Sequence, residues 1–225
     1  VAHLHVRDEK FLPTSDRETY KKLLKELEDV DIIKQVSTGA RGGENTIEWR
    51  GQMLDLEADM ASLSTGSSNF PTSVNANSPS LIKGLAKKML DNNLKPEIEV
   101  FDLAMIRNAE YLMKTGYLKG PLHFNMVMNV PGSIKGSAKN LMFMVDSIPA
   151  GSTWSVSGIG NSQIEMITMA ILLGGHVRTG LEDILMYDKN THATNKMLVE
   201  RVVRIAKELG REIATPEEAR RILSI

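Results

Sequence analysis

The feature of this sequence that most restricts its fold is a regular alternation of two kinds of segment. Short apolar runs rich in β-branched residues are each followed by an amphipathic stretch whose apolar residues recur at helical spacing. One pair of segments occupies about 25 to 30 residues, the length of a strand–helix unit of a parallel sheet. The predicted strands lie near residues 1–6, 31–37, 60–64, 97–101, 121–128, 152–156 and 174–178. The predicted helices lie near residues 15–28, 45–55, 78–92, 103–116, 134–147, 161–173 and 192–209, and a capped helix start is predicted at Thr215-Pro216-Glu217-Glu218.

Seven strand–helix units predict a mostly parallel sheet with helices outside, and eight would close a TIM (β/α)8 barrel. A closed barrel typically needs about 250 residues, whereas this chain has 225 and begins directly at a predicted strand. We therefore expect a single barrel domain over residues 1–225 that lacks its first strand and helix. The alternative is an open doubly wound sheet, but no glycine-rich turn of the dinucleotide-binding type supports it. In either architecture the functional residues are expected where the strands end.

His3 and His5 form a pair at the first predicted strand. Because side chains alternate along a strand, both imidazoles project from the same side and can hold one ion. Glu182, near the other end of the chain, is the carboxylate best placed to supply a third ligand while leaving a position open for substrate. The alternative is that both residues are core histidines satisfied by hydrogen bonds.

Hydroxyl and glycine residues gather at other strand ends. One turn contains Ser37, Thr38 and Arg41, and the next contains Ser62 and Ser64. The backbone N–H groups and hydroxyls of such turns can hold a carboxylate or carbonyl oxygen of a substrate. Because Gly and Ser are also the usual residues of turns, ordinary loop chemistry remains an alternative.

The last predicted strand end carries two charged residues of interest. Arg178 has the same strand parity as His176, so its guanidinium is expected to point toward the barrel interior. Burial there is costly unless a carboxylate or a bound anion accompanies the charge. Asp183 is a candidate base, or the residue that positions one. The alternative is a structural ion pair between Arg178 and either Asp183 or Glu99.

The composition favours a small metabolite as partner. The 27 basic and 28 acidic residues leave no excess charge to attract nucleic acid or an anionic membrane surface. The absence of cysteine excludes disulfides and thiolate ligands. No apolar run approaches the roughly 20 residues of a membrane span, and no signal peptide opens the chain. We therefore expect a cytoplasmic protein.

Seven segments of the chain resemble the β-keto acid cleavage enzymes, whose type member is the 3-keto-5-aminohexanoate cleavage enzyme of lysine fermentation. The matching segments are HLHVRD, QVSTGARGG, ASLSTGSSNF, PEIEVFD, WSVSGIGNSQ, GGHVRTGLED and GREIATPEEARRIL. They follow the family's order through nearly the whole chain. Each fragment alone is modestly specific, but seven collinear fragments argue against coincidence.

The resemblance implies a zinc-dependent TIM barrel that condenses a β-keto acid with acetyl-CoA. The products would be acetoacetate and a new acyl-CoA, and the family's amino-acid fermentation and homotetrameric assembly would apply. The same resemblance implies that His3, His5 and Glu182 are the zinc ligands. It identifies Thr38, Arg41 and Ser62 with substrate contacts, beside which Ser37 and Ser64 lie.

The remaining polar positions of the family's active site correspond to Glu99, Arg178 and Asp183. We hypothesise that Asp183, oriented by Arg178, helps to remove a proton from the acetyl-CoA methyl group. One alternative function is that of a metal-dependent barrel aldolase or isomerase acting on sugar phosphates. Another is an incomplete barrel that binds metal without turnover.

Overall fold

The computed structural model describes residues 1–39 and 43–225, in which a parallel sheet is flanked by helices. The strands are β1 (Ala2–Leu4), β2 (Val6–Arg7), β3 (Pro13–Thr14), β4 (Lys34–Val36), β5 (Met60–Ser64), β6 (Ser68–Asn69), β7 (Val74–Asn75), β8 (Lys95–Val100), β9 (His123–Met128), β10 (Thr153–Gly158) and β11 (His176–Val177). The helices are α1 (Arg17–Glu26), α2 (Ile47–Arg50), α3 (Pro79–Asp91), α4 (Leu103–Lys114), α5 (Ala138–Val145), α6 (Gln163–Leu172), α7 (Asn195–Glu208) and α8 (Pro216–Leu223), with a 3-10 turn at Gly160–Ser162.

Seven strands form one parallel sheet in the order β1-β4-β5-β8-β9-β10-β11. This order follows the chain without reversal, as in a barrel, whereas a doubly wound sheet reverses its strand order. The alternative of a doubly wound sheet is therefore not supported. Within the sheet Ser62 is in register with Glu97, and Glu97 with His123, so polar side chains of neighbouring strands share one face.

The predicted parallel sheet with outer helices is confirmed, and it is curled as in part of a barrel. Within residues 1–39 and 43–225, no eighth strand joins the outer edges of β1 and β11. The sheet nevertheless curves until its two ends approach each other. This curvature is shown by His5, which follows β1 and lies 3.2 Å from Glu182, which follows β11. The expectation of a first unit before Val1 stays an expectation.

The predicted elements are present, most of them shorter by a few residues than predicted, and two differ for identifiable reasons. The predicted strand 1–6 leaves the sheet after Leu4, because Val6–Arg7 pairs antiparallel with Pro13–Thr14 instead. The predicted helix 45–55 is confined to Ile47–Arg50 because Gly51, a poor helix former, ends it. The predicted start of α8 is confirmed, since Thr215 and Glu218 form a reciprocal capping box.

The apolar core lies between the sheet and its surrounding helices. Strand residues on the outer face of the sheet pack in one buried cluster with residues of helices α3 to α6. Both faces of the central strands are buried, as is usual for parallel sheets covered by helices. Strand members of this cluster are Val36, Leu63, Ile98, Phe124, Met126 and Val156, and helix members include Leu85, Met89, Ile106, Leu141 and Met166.

The C-terminal helix α8 covers the amino-terminal end of the sheet. Leu223 packs against Ile33 and Met60, which stand at the beginnings of β4 and β5. Arg220 forms an ion pair with Asp31 at 2.8 Å. This helix therefore lies opposite the carboxyl ends of the strands, where the predicted site residues are found. No helix within the described residues combines the length and apolar character that a membrane crossing requires.

Candidate metal centre

His3, His5 and Glu182, which come from opposite ends of the chain, meet at one point. His3 Nε2 lies 3.0 Å from His5 Nε2, and His5 Nε2 lies 3.2 Å from Glu182 Oε1. His3 Nε2 and Glu182 Oε2 are 3.8 Å apart. The three side chains are 12%, 31% and 24% exposed respectively, so the cluster is open to solvent on one side.

These separations fit one small cation. Zinc binds imidazole nitrogen at about 2.0–2.1 Å and carboxylate oxygen at about 2.0–2.2 Å, which places neighbouring ligands of a tetrahedral site roughly 3.3 to 3.5 Å apart. The observed distances of 3.0, 3.2 and 3.8 Å bracket that range. Two imidazoles and a carboxylate suit zinc and similar borderline cations. Three protein ligands leave a fourth position open, as in catalytic rather than structural zinc sites.

His3 is held in the neutral form that a metal ligand requires. Burial, and secondly the positive charge of Arg178, lower the pKa of His3 to about 3. Its Nδ1 lies 2.8 Å from Gln35 Oε1, and Gln35 Nε2 donates to Glu97 Oε2 at 2.9 Å. Gln35 and Glu97 were not among the predicted site residues. The signal that could have revealed Gln35 is its strand parity, because it has the same parity as Ile33 and Ser37 in the predicted strand 31–37.

Arg178 joins three carboxylates beside this cluster. Its guanidinium donates to Glu182 and, at 3.1 Å, to Asp183 Oδ1, and it lies 3.6 Å from Glu99 Oε1. Glu99 Oε2 in turn accepts from the Ser64 hydroxyl at 3.0 Å. Burial alone would lower the pKa of Arg178, but the carboxylates of Asp183 and Glu99 outweigh it and raise that pKa. The guanidinium is therefore a fixed positive charge that orients carboxylates.

The two predicted hydroxyl turns are bonded to each other. Thr38 Oγ1 donates to the Ser62 carbonyl at 2.7 Å, and the Thr38 N–H donates to Ser62 Oγ at 3.3 Å. Ser37 Oγ accepts from the Gly39 N–H at 3.2 Å. Ser37, Thr38 and Ser62 are all buried, and because Ser62 lies within β5, these bonds tie the turn after β4 to the neighbouring strand. Arg41 lies outside the described residues.

Arg50 is a further residue that the sequence analysis missed. Its side chain is buried and donates to the carbonyls of Thr38 at 2.6 Å and Ala76 at 3.0 Å, and to Asn77 Oδ1 at 2.7 Å. Burial lowers the pKa of Arg50 to about 10, so it remains charged at neutral pH. Its helical spacing from Ile47, on the apolar side of the predicted helix, is the signal that could have identified it.

The other histidines lie outside the cluster. His123 is buried, and its Nδ1 is 2.8 Å from Thr153 Oγ1. Within the described residues, His123, His176 and His192 join no group of three side chains that could hold a metal ion.

The sequence was compared with protein families and known relatives. The family model described as beta-keto acid cleavage enzyme matches residues 1–225. The chain is 45% identical over 229 residues to the 3-keto-5-aminohexanoate cleavage enzyme of Fusobacterium nucleatum subsp. nucleatum, which covers 100% of this chain and 83% of that protein. It is 41% identical over 231 residues to the 3-oxoadipate:acetyl-CoA acetyltransferase of Cupriavidus necator, covering 100% of this chain and 81% of that protein.

Among solved structures, the fold is similar to the apo structure of ObcA. The TM-score is 0.83 at 20% sequence identity, and the match covers 100% of this chain and 61% of the ObcA chain. This chain therefore spans less than two thirds of ObcA. At this identity the similarity concerns the fold.

Proposed function

Because this chain belongs to the β-keto acid cleavage enzyme family, we propose that it is a zinc-dependent acyltransferase that condenses a β-keto acid with acetyl-CoA. The products are acetoacetate and a new acyl-CoA. The observation that supports this most strongly is the meeting of His3, His5 and Glu182 at distances that suit one cation with an open position. The named relatives are likewise enzymes of β-keto acid cleavage and acetyl-CoA transfer.

In this proposal His3, His5 and Glu182 hold the zinc ion. When bound, zinc acts as a Lewis acid that polarises the substrate's ketone and stabilises negative charge on its oxygen. Arg178 donates to Glu182 Oε2 and also to Asp183 Oδ1. The same guanidinium therefore sets the relative positions of a metal ligand and of the candidate base.

The products determine which carbon loses a proton. Acetoacetate contains the acetyl group of acetyl-CoA joined to the α-carbon of the β-keto acid. The carbanion must therefore form at that α-carbon, which corrects our hypothesis that the acetyl-CoA methyl group is deprotonated. Asp183 takes the α-proton, and the α-carbon attacks the thioester carbon while CoA thiolate leaves. The thiolate then attacks the original ketone carbon, whose bond to the α-carbon breaks, and the α-carbon regains a proton from Asp183.

The remaining residues bind the substrate or support the base. Ser37 and Thr38 follow β4, Ser62 and Ser64 belong to the carboxyl-terminal half of β5, and all four are buried. The proposed substrate-binding residues are Ser37, Thr38, Arg41, Ser62 and Ser64, and Glu99 acts together with Arg178 and Asp183.

The proposal extends to cellular context and assembly. The family resemblance is the basis for a cytoplasmic homotetramer that takes part in amino-acid fermentation. It is also the basis for an eight-unit barrel, in which one more strand would pair with the outer edges of β1 and β11. Light scattering coupled to size-exclusion chromatography tests the tetramer.

The activity is tested by incubating zinc-loaded protein with acetyl-CoA and a panel of β-keto acids that includes 3-keto-5-aminohexanoate and 3-oxoadipate. We expect release of acetoacetate that depends on acetyl-CoA. Turnover without acetyl-CoA would favour a barrel aldolase or isomerase. Zinc binding without turnover of any panel member would favour the metal-binding barrel.

The role of Asp183 is tested by Asp183→Asn, which keeps the shape of the side chain but cannot accept the α-proton. We expect zinc binding to persist while turnover falls by about 100-fold or more. A variant that keeps both zinc and wild-type turnover would remove Asp183 from the chemistry. Asp91→Asn, on the exposed end of α3, is the matched control.

A further inference from the structure

Behind His3 lies a chain of two buried polar side chains, Gln35 and Glu97, that ends in a carboxylate. Gln35 is 1% exposed and Glu97 is 6% exposed. Glu97 Oε2 accepts from Gln35 Nε2 at 2.9 Å, and Gln35 Oε1 lies 2.8 Å from His3 Nδ1. The side chains come from three neighbouring or near-neighbouring strands, β8, β4 and β1, so the sheet itself holds them in line.

The donors and acceptors in this chain can be ordered in one direction. Glu97 Oε2 accepts from Gln35 Nε2, so the amide nitrogen of Gln35 faces Glu97. The amide oxygen of Gln35 must then face His3, and an oxygen there requires that Nδ1 of His3 carry the proton. The lone pair of His3 is consequently left on Nε2, the atom that lies 3.0 Å from His5 Nε2.

We propose that Gln35 and Glu97 are positioning residues that fix His3 in the tautomer able to bind the metal ion. This inference rests on the zinc site of the proposed function. Metal-binding histidines commonly donate their second N–H to a carboxylate or carbonyl, and loss of that partner typically costs 10- to 100-fold in metal affinity. Here the amide of Gln35 lies between them, so Glu97 acts on His3 by setting the orientation of Gln35.

A purely structural role of Gln35 and Glu97 predicts a different effect of substitutions on metal binding. If Gln35 and Glu97 only filled the inside of the sheet, any folded variant of similar volume would leave metal binding unchanged. If they set the tautomer, the direction of the hydrogen bonds matters. Glu97→Gln should then weaken zinc binding with almost no change in volume, because the new amide no longer forces the orientation of Gln35.

A double variant that exchanges the two side chains should restore zinc binding, because it keeps the net charge. In the double variant Gln35→Glu with Glu97→Gln, the new carboxylate at position 35 accepts from His3 Nδ1, and the new amide at position 97 can donate to it. Acceptor, net charge and volume are all retained. We expect zinc affinity within about threefold of wild type, against losses of about 10- to 100-fold for Gln35→Met and Glu97→Gln.

The experiment measures zinc dissociation constants by chelator competition for these variants and for the control Gln52→Met, whose amide bonds Trp49 away from the cluster. Wild-type affinity in folded Gln35→Met, or in Glu97→Gln, would overturn the inference. So would a double variant that binds zinc as weakly as Glu97→Gln. If Gln35→Met does not fold, the zinc affinities of Glu97→Gln and of the double variant test the inference.

A second measurement separates this inference from the zinc proposal. Nitrogen-15 NMR of the metal-free protein reports which imidazole nitrogen of His3 carries the proton. We expect Nδ1 to be protonated in wild type and the tautomer to shift in Glu97→Gln. If the wild-type protein binds no zinc but shows this pattern, the zinc site is refuted, while the inference that Gln35 and Glu97 set the tautomer of His3 is supported. Protonation of His3 Nε2 in the wild-type protein would refute the inference that Gln35 and Glu97 set the tautomer of His3.

Discussion

Oε1 of Glu182 lies 3.2 Å from Nε2 of His5, although one residue follows the first strand of the sheet and the other follows the last. Neither strand is hydrogen-bonded to the other, so this contact depends on the curvature of the whole sheet. A cation held here would therefore join the two edges of the fold. Binding of such an ion to the folded chain alone would also stabilise it against unfolding.

Replacing Glu182 by Gln removes the anionic ligand and keeps its size. Loss of a residue that is hydrogen-bonded to a metal ligand typically lowers metal affinity by roughly 10- to 100-fold, and we expect loss of the ligand itself to lower zinc affinity by at least as much. Chelator competition measures the change. Glu200→Gln, on the exposed surface of α7, is the control, and it should bind zinc as wild type does. Equal affinities of the two variants would show that Glu182 is no ligand.

Replacing Arg178 by Met leaves three carboxylates close together without their shared cation. Removing one partner of a buried ion pair is costly, and we expect the free energy of unfolding to fall by about 3 kcal/mol. Arg107→Met removes a guanidinium that is 85% exposed and pairs with Glu110, and it should change stability by less than about 1 kcal/mol. Urea unfolding compares them. If both variants changed the free energy of unfolding by less than about 1 kcal/mol, the carboxylates would not need the charge of Arg178 for stability.

Replacing Arg50 by Lys keeps the charge but loses the planar arrangement of donors. One ammonium group cannot reach the carbonyls of Thr38 and Ala76 and the amide of Asn77 together. We expect a loss of about 2 kcal/mol in the free energy of unfolding and a larger effect on KM than on kcat, since the Thr38 turn is proposed to bind substrate. Unchanged stability and KM would contradict this account of Arg50.

The sequence was sufficient for the order of strands and helices, because apolar periodicity and capping residues are local signals. It was also sufficient to bring His3, His5 and Glu182 into one hypothesis, since strand parity and the family motifs both indicate them. It was not sufficient for Gln35 and Glu97, which are 62 positions apart and meet only through the register of the sheet. Arg50 was missed because an arginine on a predicted helix is usually exposed, and the length of that helix was overestimated across Gly51.

The stability of the protein should depend on pH through His123. Burial lowers the pKa of His123 to about 4 from the ordinary value of 6.5. Between these values the unfolded chain binds a proton that the folded chain does not, so stability rises with pH across this window and is lost as pH falls from 6.5 toward 4. The full effect is about 3 kcal/mol.

His123→Gln should make the free energy of unfolding less dependent on pH in this window, whereas His192→Gln, at an exposed position, should leave the dependence unchanged. Urea unfolding at a series of pH values provides the comparison. An unaltered pH dependence in His123→Gln would show that another group titrates.

The most direct measurement is anomalous diffraction at the zinc edge from crystals of the zinc-loaded protein. We expect one strong peak about 2.0 to 2.2 Å from His3 Nε2, His5 Nε2 and a carboxylate oxygen of Glu182, with a fourth position occupied by solvent or substrate. A peak elsewhere in the molecule, with these three side chains coordinating nothing, would contradict it.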